Sequence, residues 1–201
     1  MDEIVKAAIA KWPSVPHCTG WLLLDRRGQW RMRDERAQAL RDLGAPVRHP
    51  ALIGFINRNY ERDERGQWFF QNGPQRVYVE LAYTPWIVRL GSRETNGRSE
   101  PTLTDHTGGS FEPAEALIDE DGAVLIVDSA TPTRIALLHD HDLGLFSEFA
   151  TLTLDDDGAA GAGRFHWRTG CDLPIGTIMR ADVPERFDFV PSPASMAMAA
   201  P

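Results

Sequence analysis

Apolar positions along the chain recur at two periods and divide it into short helices and short strands. Ile4, Val5, Ala8, Ile9 and Trp12 are spaced for one face of a helix over residues 2–12, which Pro13 and Pro16 end. Trp21–Leu24 is an apolar run, Asp25-Arg26-Arg27-Gly28 turns the chain, and Trp30 and Met32 alternate within Gln29–Arg33, so this stretch predicts a hairpin. Leu52, Ile53, Ile56 and Tyr60 share a second helical face, with Pro50 suited to its first turn. Gln67–Phe70 predicts a strand. Val77, Val79, Leu81 and Tyr83 alternate with Tyr78, Glu80 and Ala82, the pattern of a strand with one apolar face, and Pro85 predicts a bulge or a sheet edge. Gly91–Ser110 is rich in Gly, Ser, Thr and Asn and reads as a linker or long loop, with a short strand near Thr102–Thr104.

The second half follows a related scheme. Ala116–Ile118 and Ala123–Val127 flank an acidic turn, Arg134–Leu138 reads as a strand, and Asp142–Phe149 as one or two helical turns. Thr151–Leu154, Arg164–Trp167 and Phe187–Val190 read as further strands. Residues 191–201 have no pattern and are expected to fray.

Four segments share an acidic turn closed by glycine: LDRRGQW (24–30), RDERGQW (62–68), IDEDGAV (118–124) and LDDDGAA (154–160). Glycine supplies the positive φ of a tight hairpin turn, and aspartate bonds back to the turn backbone. Gly28 and Gly66 are 38 residues apart and Gly122 and Gly158 are 36 apart, with a helical stretch inside each interval. The matched spacing points to one unit used twice; the alternative is four unrelated turns. The expected fold is therefore α+β, with two similar subdomains, each mainly antiparallel hairpins with one helix. The expected division is an N-terminal helix (1–16), a first repeat (17–93), a second repeat (94–190) and a disordered tail (191–201).

Composition narrows the class. The 201 residues are 42% apolar and 25% charged, with six Trp and nine Phe, which is the make-up of a chain that buries a core. Two cysteines, Cys18 and Cys171, imply no disulfide framework and agree with a reducing, cytoplasmic setting. No apolar run is long enough to span a membrane, and the acidic N-terminus is unlike a signal peptide. The net charge is −8, but residues 1–100 carry 16 basic and 12 acidic side chains while residues 101–201 carry 5 and 17. Nucleic acid and anionic membranes are disfavoured as partners by that balance. The basic half can still hold a small anion, or the halves attract one another.

The stretch RHPALIGFINRNYERDERGQWFFQNGPQRVYVELAYTPWIVRL (48–90) resembles a bacterial family labelled domain of unknown function 1285, or a sister of it. The residues that carry the resemblance are Arg48, Pro50, Phe55, Gly66, Phe69, Pro74, Arg76, Val77, Thr84, Pro85 and Trp86, with a weaker match at Leu103–Thr107 and Arg134–Phe146. The chain departs from the pattern where His49 separates Arg48 from Pro50, where Gln75 replaces the usual acid, and where Ala123–Thr131 stands as an insertion. The resemblance implies a duplicated α+β core whose second half is similar to pleckstrin-homology folds. It also implies a nucleotide-type ligand between the halves and a role in signal transduction.

Candidate chemistry falls on few residues. Arg48 and His49 precede the helix that starts at Pro50, where free N–H groups attract an anion; Arg76 adds a second cation, and Tyr78 or Trp86 a stacking face. Trp86 reads first as a core residue. Arg134 or His139 would face the same ligand from the second half. His139-Asp140-His141-Asp142 is the most metal-like run: on a strand, H-x-H sets both imidazoles on one face, with His106 or His166 as a third ligand. Asp142 reads as the cap of the helix that follows it. Cys171 lies near His166 in sequence, and the turn acids such as Asp119 and Asp121 are too exposed for carboxylate catalysis. No phosphate loop, nucleophile elbow or dinucleotide fingerprint occurs, so no cofactor is named. The leading expectation is a cytoplasmic, noncatalytic protein that binds a small anion between its repeats. The alternatives are a metal-dependent enzyme using His139 and His141, and an adaptor whose acidic half meets a basic protein.

Overall fold

A computed structural model describes residues 2–95, 97–154 and 160–199. Two compact units divide the chain: Met1–Pro85 with Asp188–Pro201, and Trp86–Phe187. The expected boundary at 93/94 would cut through a strand, and the last residues return to the first unit.

The first unit opens with α1 (Glu3–Lys11) and then a six-stranded sheet built from β1 (Cys18–Leu24), β2 (Trp30–Met32), β3 (Ala45–Pro46), β4 (Tyr60–Arg62), β5 (Trp68–Asn72) and β6 (Gln75–Leu81). Two helices interrupt it: α2 (Glu35–Ala39), capped by the Asp34 side chain, and α3 (Pro50–Arg58). The strand order is β3-β2-β1-β6-β5-β4, and β1 and β6 run parallel. Period-two alternation gives this sheet two covered faces. Val77, Val79 and Leu81 share a face with Phe70 and Leu24, and α3 packs there through Phe55 on Phe70 (5.4 Å) and Asn57, which accepts the Trp30 indole N–H at 2.7 Å. The opposite face carries Tyr78, Glu80 and Leu23, and α6 (Pro193–Ala199) lies against its β1 and β6.

The second unit repeats this wiring. β9 (Pro113–Ile118) and β10 (Val124–Asp128) form the hairpin, followed by β11 (Ile135–Leu138), a 3-10 turn (Asp140–Asp142), α4 (Leu143–Glu148), β12 (Ala150–Leu154), β13 (Ala160–Arg168), β14 (Cys171–Thr177) and α5 (Val183–Arg186). Their order is β11-β10-β9-β14-β13-β12, with β14 parallel to β9, which is the first unit's order strand for strand. Two more strands, β7 (Trp86–Thr95) and β8 (Arg98–Asp105), extend the sheet beyond β11 to eight. The sheet curls until β13 meets β8, where Arg168 donates to the Pro101 carbonyl. Phe111, Phe146, Phe165, Trp167 and the inward aliphatics of β7–β11 fill the space inside.

The turn chemistry explains the repeat. Asp25 Oδ1 accepts the N–H groups of Arg27 and Gln29, Asp63 those of Arg65 and Gln67, and Asp119 those of Asp121 and Ala123. Gly28, Gly66 and Gly122 follow at φ +76°, +76° and +79°, the left-handed residue of a three-residue hairpin loop. The fourth turn, 155–158, lies outside the described residues. A fifth turn of the same kind, Asp105-His106-Thr107-Gly108, closes β8 and has identical bonds to Thr107 and Gly109.

Four expectations need correction. Gly91–Ser110 is no linker: most of it is the β7–β8 hairpin, whose small polar residues face outward on an edge strand. Phe187–Val190 is not a strand. Asp188 adopts φ +50°, and the segment bonds outward to a turn, Val190 N–H to Gly66 O. The unpatterned C-terminus is ordered through residue 199 as α6, with Glu80 accepting the Ala194 N–H at 3.0 Å. The His-Asp-His run lies beyond the end of β11, on a 3-10 turn rather than a strand. No helix among the described residues is long and apolar enough to cross a membrane.

Candidate functional site

Of the six residues expected to bind ligand, Arg76 and Tyr78 come together. Both rise from the same face of β6, two residues apart, beside Phe69 of the paired strand β5. They line a groove of about 570 Å³ whose rim is the β4–β5 turn with Glu61, Arg62, Asp63, Glu64 and Arg65, and His17 lines it beside Tyr78. The Arg76 guanidinium lies 4.5 Å from the Phe69 ring centre, a cation–π arrangement that fixes a long side chain. Tyr78 donates to Asp63 Oδ2 at 3.1 Å, and the His17 ring meets it edge-on at 5.7 Å. Arg62 is held by Asp188 of the returning C-terminal segment.

The other four candidates do different work. Arg48 is exposed and is not among the residues of the groove. His49 caps α3, its Nδ1 accepting the Leu52 N–H at 3.4 Å, so it meets the helix-terminus donors itself. His139 plays the same part in the second unit, its Nδ1 accepting the His141 N–H at 3.1 Å. Burial, and then the nearby Arg89 guanidinium, hold its pKa below the ordinary histidine value. Arg134 is fully engaged: its guanidinium meets Asp105 (3.2 Å) and Asp128, donates to Ser110 O, and covers the Phe111 and Trp86 rings. Trp86 packs against the second core, as the core reading of it expects.

Asp142 does not cap α4 through its side chain. Its carboxylate accepts two bonds from Arg89 (2.7 and 2.9 Å) and one from the Leu90 N–H (2.9 Å), tying the 3-10 turn to β7. Burial opposes that charge, but these donors outweigh it and keep the pKa below the usual aspartate value. His106 is buried against Trp86 at 5.5 Å, and burial drives its pKa down to about 4, against the pull of Asp105.

His166 has partners that its sequence neighbourhood did not indicate. Its Nδ1 lies 2.9 Å from Asp172 Oδ1 and its Nε2 lies 2.8 Å from Thr151 Oγ1, so the imidazole bridges β12 and β14 across β13. The signal for Asp172 was the His166–Asp172 register pair of a hairpin, which only the strand alignment reveals. Asp140 is the third member of the His139–His141 cluster, a place the sequence left to His106 or His166.

The fold defines a class: a duplicated α+β protein whose two six-stranded sets share one strand order. Residues 1–194 match the family model DUF2944, described as a protein of unknown function (DUF2946), and the chain belongs to that family. No curated protein matches the chain. Among solved structures, a DUF1285 family protein from Silicibacter pomeroyi DSS-3 is similar with TM-score 0.53 and 16% identity, over 89% of this chain and 97% of that one. A DUF1285 family protein from Shewanella baltica OS155 matches with TM-score 0.42 and 12% identity, over 64% of this chain and 91% of that one. The first likeness shows a shared fold, in line with the resemblance read from residues 48–90.

Proposed function

We propose that this is a binding protein, not an enzyme, and that it holds a small anion with a flat, hydrogen-bonding portion in the groove of the first unit. Arg76 carries the reading. Arg31, Arg62, Arg89, Arg134, Arg180 and Arg186 each have a carboxylate partner. Among the described residues the half-buried Arg76 has none, and its contact is the Phe69 ring. A guanidinium held in place without a counter-ion is pre-organised for a carboxylate or phosphate. Arg65 adds a second cation on a rim that also carries Glu61 and Glu64, and Tyr78 and His17 supply ring surface and polar edges. Asp63 is spent on its turn and on Tyr78, which leaves it poorly placed for proton transfer. Nucleoside monophosphates fit this chemistry, and a signalling role would follow from such a ligand.

A thermal-shift screen of nucleotides, dicarboxylates and inorganic phosphate tests the reading, because a ligand that binds only the folded chain raises its melting temperature. A rise with a nucleotide or organic anion supports it. No shift with any anion at millimolar concentration contradicts it.

A further inference from the structure

The second unit carries a separate cluster, at the corner where β11 leaves the sheet. His139 is buried, Asp140 and His141 are exposed, and one ligand atom from each lies within 4.8 Å of the others. The two imidazole centres are 4.8 Å apart. The contact between His139 Nδ1 and Asp140 Oδ1, at 3.0 Å, is the informative one. A ring nitrogen has one in-plane position, which holds either a lone pair or a proton. Nδ1 lies 3.1 Å from the His141 amide nitrogen and 3.0 Å from Asp140 Oδ1, and its one position accepts the N–H. A metal ion that takes the Nδ1 lone pair displaces that N–H and joins the ring to the neighbouring carboxylate. Zinc–nitrogen and zinc–oxygen bonds of about 2.0–2.1 Å set neighbouring ligand atoms roughly 3 Å apart.

We propose that His139, Asp140 and His141 form a binding site for a divalent transition-metal ion, with zinc as its first occupant. Two imidazoles and a carboxylate suit zinc, nickel or copper and are too nitrogen-rich for magnesium or calcium. The Arg89 guanidinium is paired with Asp142, which also anchors the turn to β7. Three protein ligands leave a coordination position for water or for a group from a partner. The site is independent of the anion groove.

The test uses the full chain without a histidine tag, stripped with chelator and dialysed against zinc at pH 7.5. Bound metal is measured for the unaltered chain, His141→Ala and Asp140→Asn. Both altered side chains are exposed, and circular dichroism checks that each variant folds. The expected result is one zinc per chain at micromolar free metal, with affinity reduced at least about tenfold in each variant. A variant that binds as the unaltered chain does overturns the role given to that residue. Equal binding by all three chains, or no zinc retained by the unaltered chain, overturns the site.

Discussion

The two six-stranded sets share a wiring diagram and differ on one face. Phe70 pairs with Tyr60 and Val77 in the first set, and Phe165 pairs with Ala150 and Leu173 in the second, so the two phenylalanines occupy the same node. Around that node the inward positions keep their apolar character: Ile56 and Phe146 close the helix, and Leu24 and Ile118 end the first strand. The outward positions have changed their chemistry. Glu61, Phe69, Tyr78 and Arg76 in the first set stand where Thr151, Arg164, Pro174 and Asp172 stand in the second. An aromatic-backed arginine has become an aspartate that holds a histidine. Burial constrains the inner face in both copies and leaves the outer face free to diverge.

That comparison can be broken at the shared node. Phe165→Ala and Phe70→Ala each remove a buried ring and should cost about 3–5 kcal/mol in urea unfolding. A loss below about 1 kcal/mol for either would mean that the two positions are not equivalent parts of a core.

Acid separates the units next. His106 belongs to the hairpin that only the second unit has, and its folded pKa is about 4. Between its unfolded value near 6.5 and about 4 the unfolded chain binds the extra proton, so stability falls as pH falls through that window. The loss by pH 4 is at most roughly 3 kcal/mol, and it is absent above pH 6.5. Hydrogen exchange at pH 7 and pH 5 should show β7 and β8 losing protection before β5 and β6. Uniform loss would contradict the assignment.

Two turn glycines differ in their surroundings. Gly66 and Gly122 have nearly the same φ, but a Cβ at 66 would meet Asp188 O at 2.8 Å, while at 122 nothing lies within 4 Å. Gly122→Ala should cost about 1 kcal/mol from the backbone alone, and Gly66→Ala about 2–3 kcal/mol. Equal costs in thermal unfolding would mean that the C-terminal segment does not rest on the β4–β5 turn. The smallest effect belongs to His166→Gln. Its partners are solvent-exposed, so the loss should stay below about 1 kcal/mol.

The parts legible in the sequence were those whose causes are local. An aspartate that bonds its own turn and a glycine three residues later announce each hairpin, and Pro50 announces α3. The parts that stayed hidden depend on distant partners. The C-terminal segment is ordered by Gly66, Leu81 and Glu80, more than a hundred residues earlier, so no periodicity marks it. The β7–β8 hairpin hides behind Gly, Ser and Thr, whose outward positions need no apolar residue. Arg76 and Arg134 look alike as letters. Only the fold sets Arg134 between two aspartates and leaves Arg76 against a ring.

In the proposed site Arg76 is held for an incoming anion. Calorimetric titration of the best anion from the screen into the unaltered chain, Arg76→Ala and Arg48→Ala tests it most directly. Affinity is expected to be about tenfold or more weaker for Arg76→Ala and unchanged for Arg48→Ala, which lies outside the groove. Identical isotherms for the unaltered chain and Arg76→Ala would contradict it.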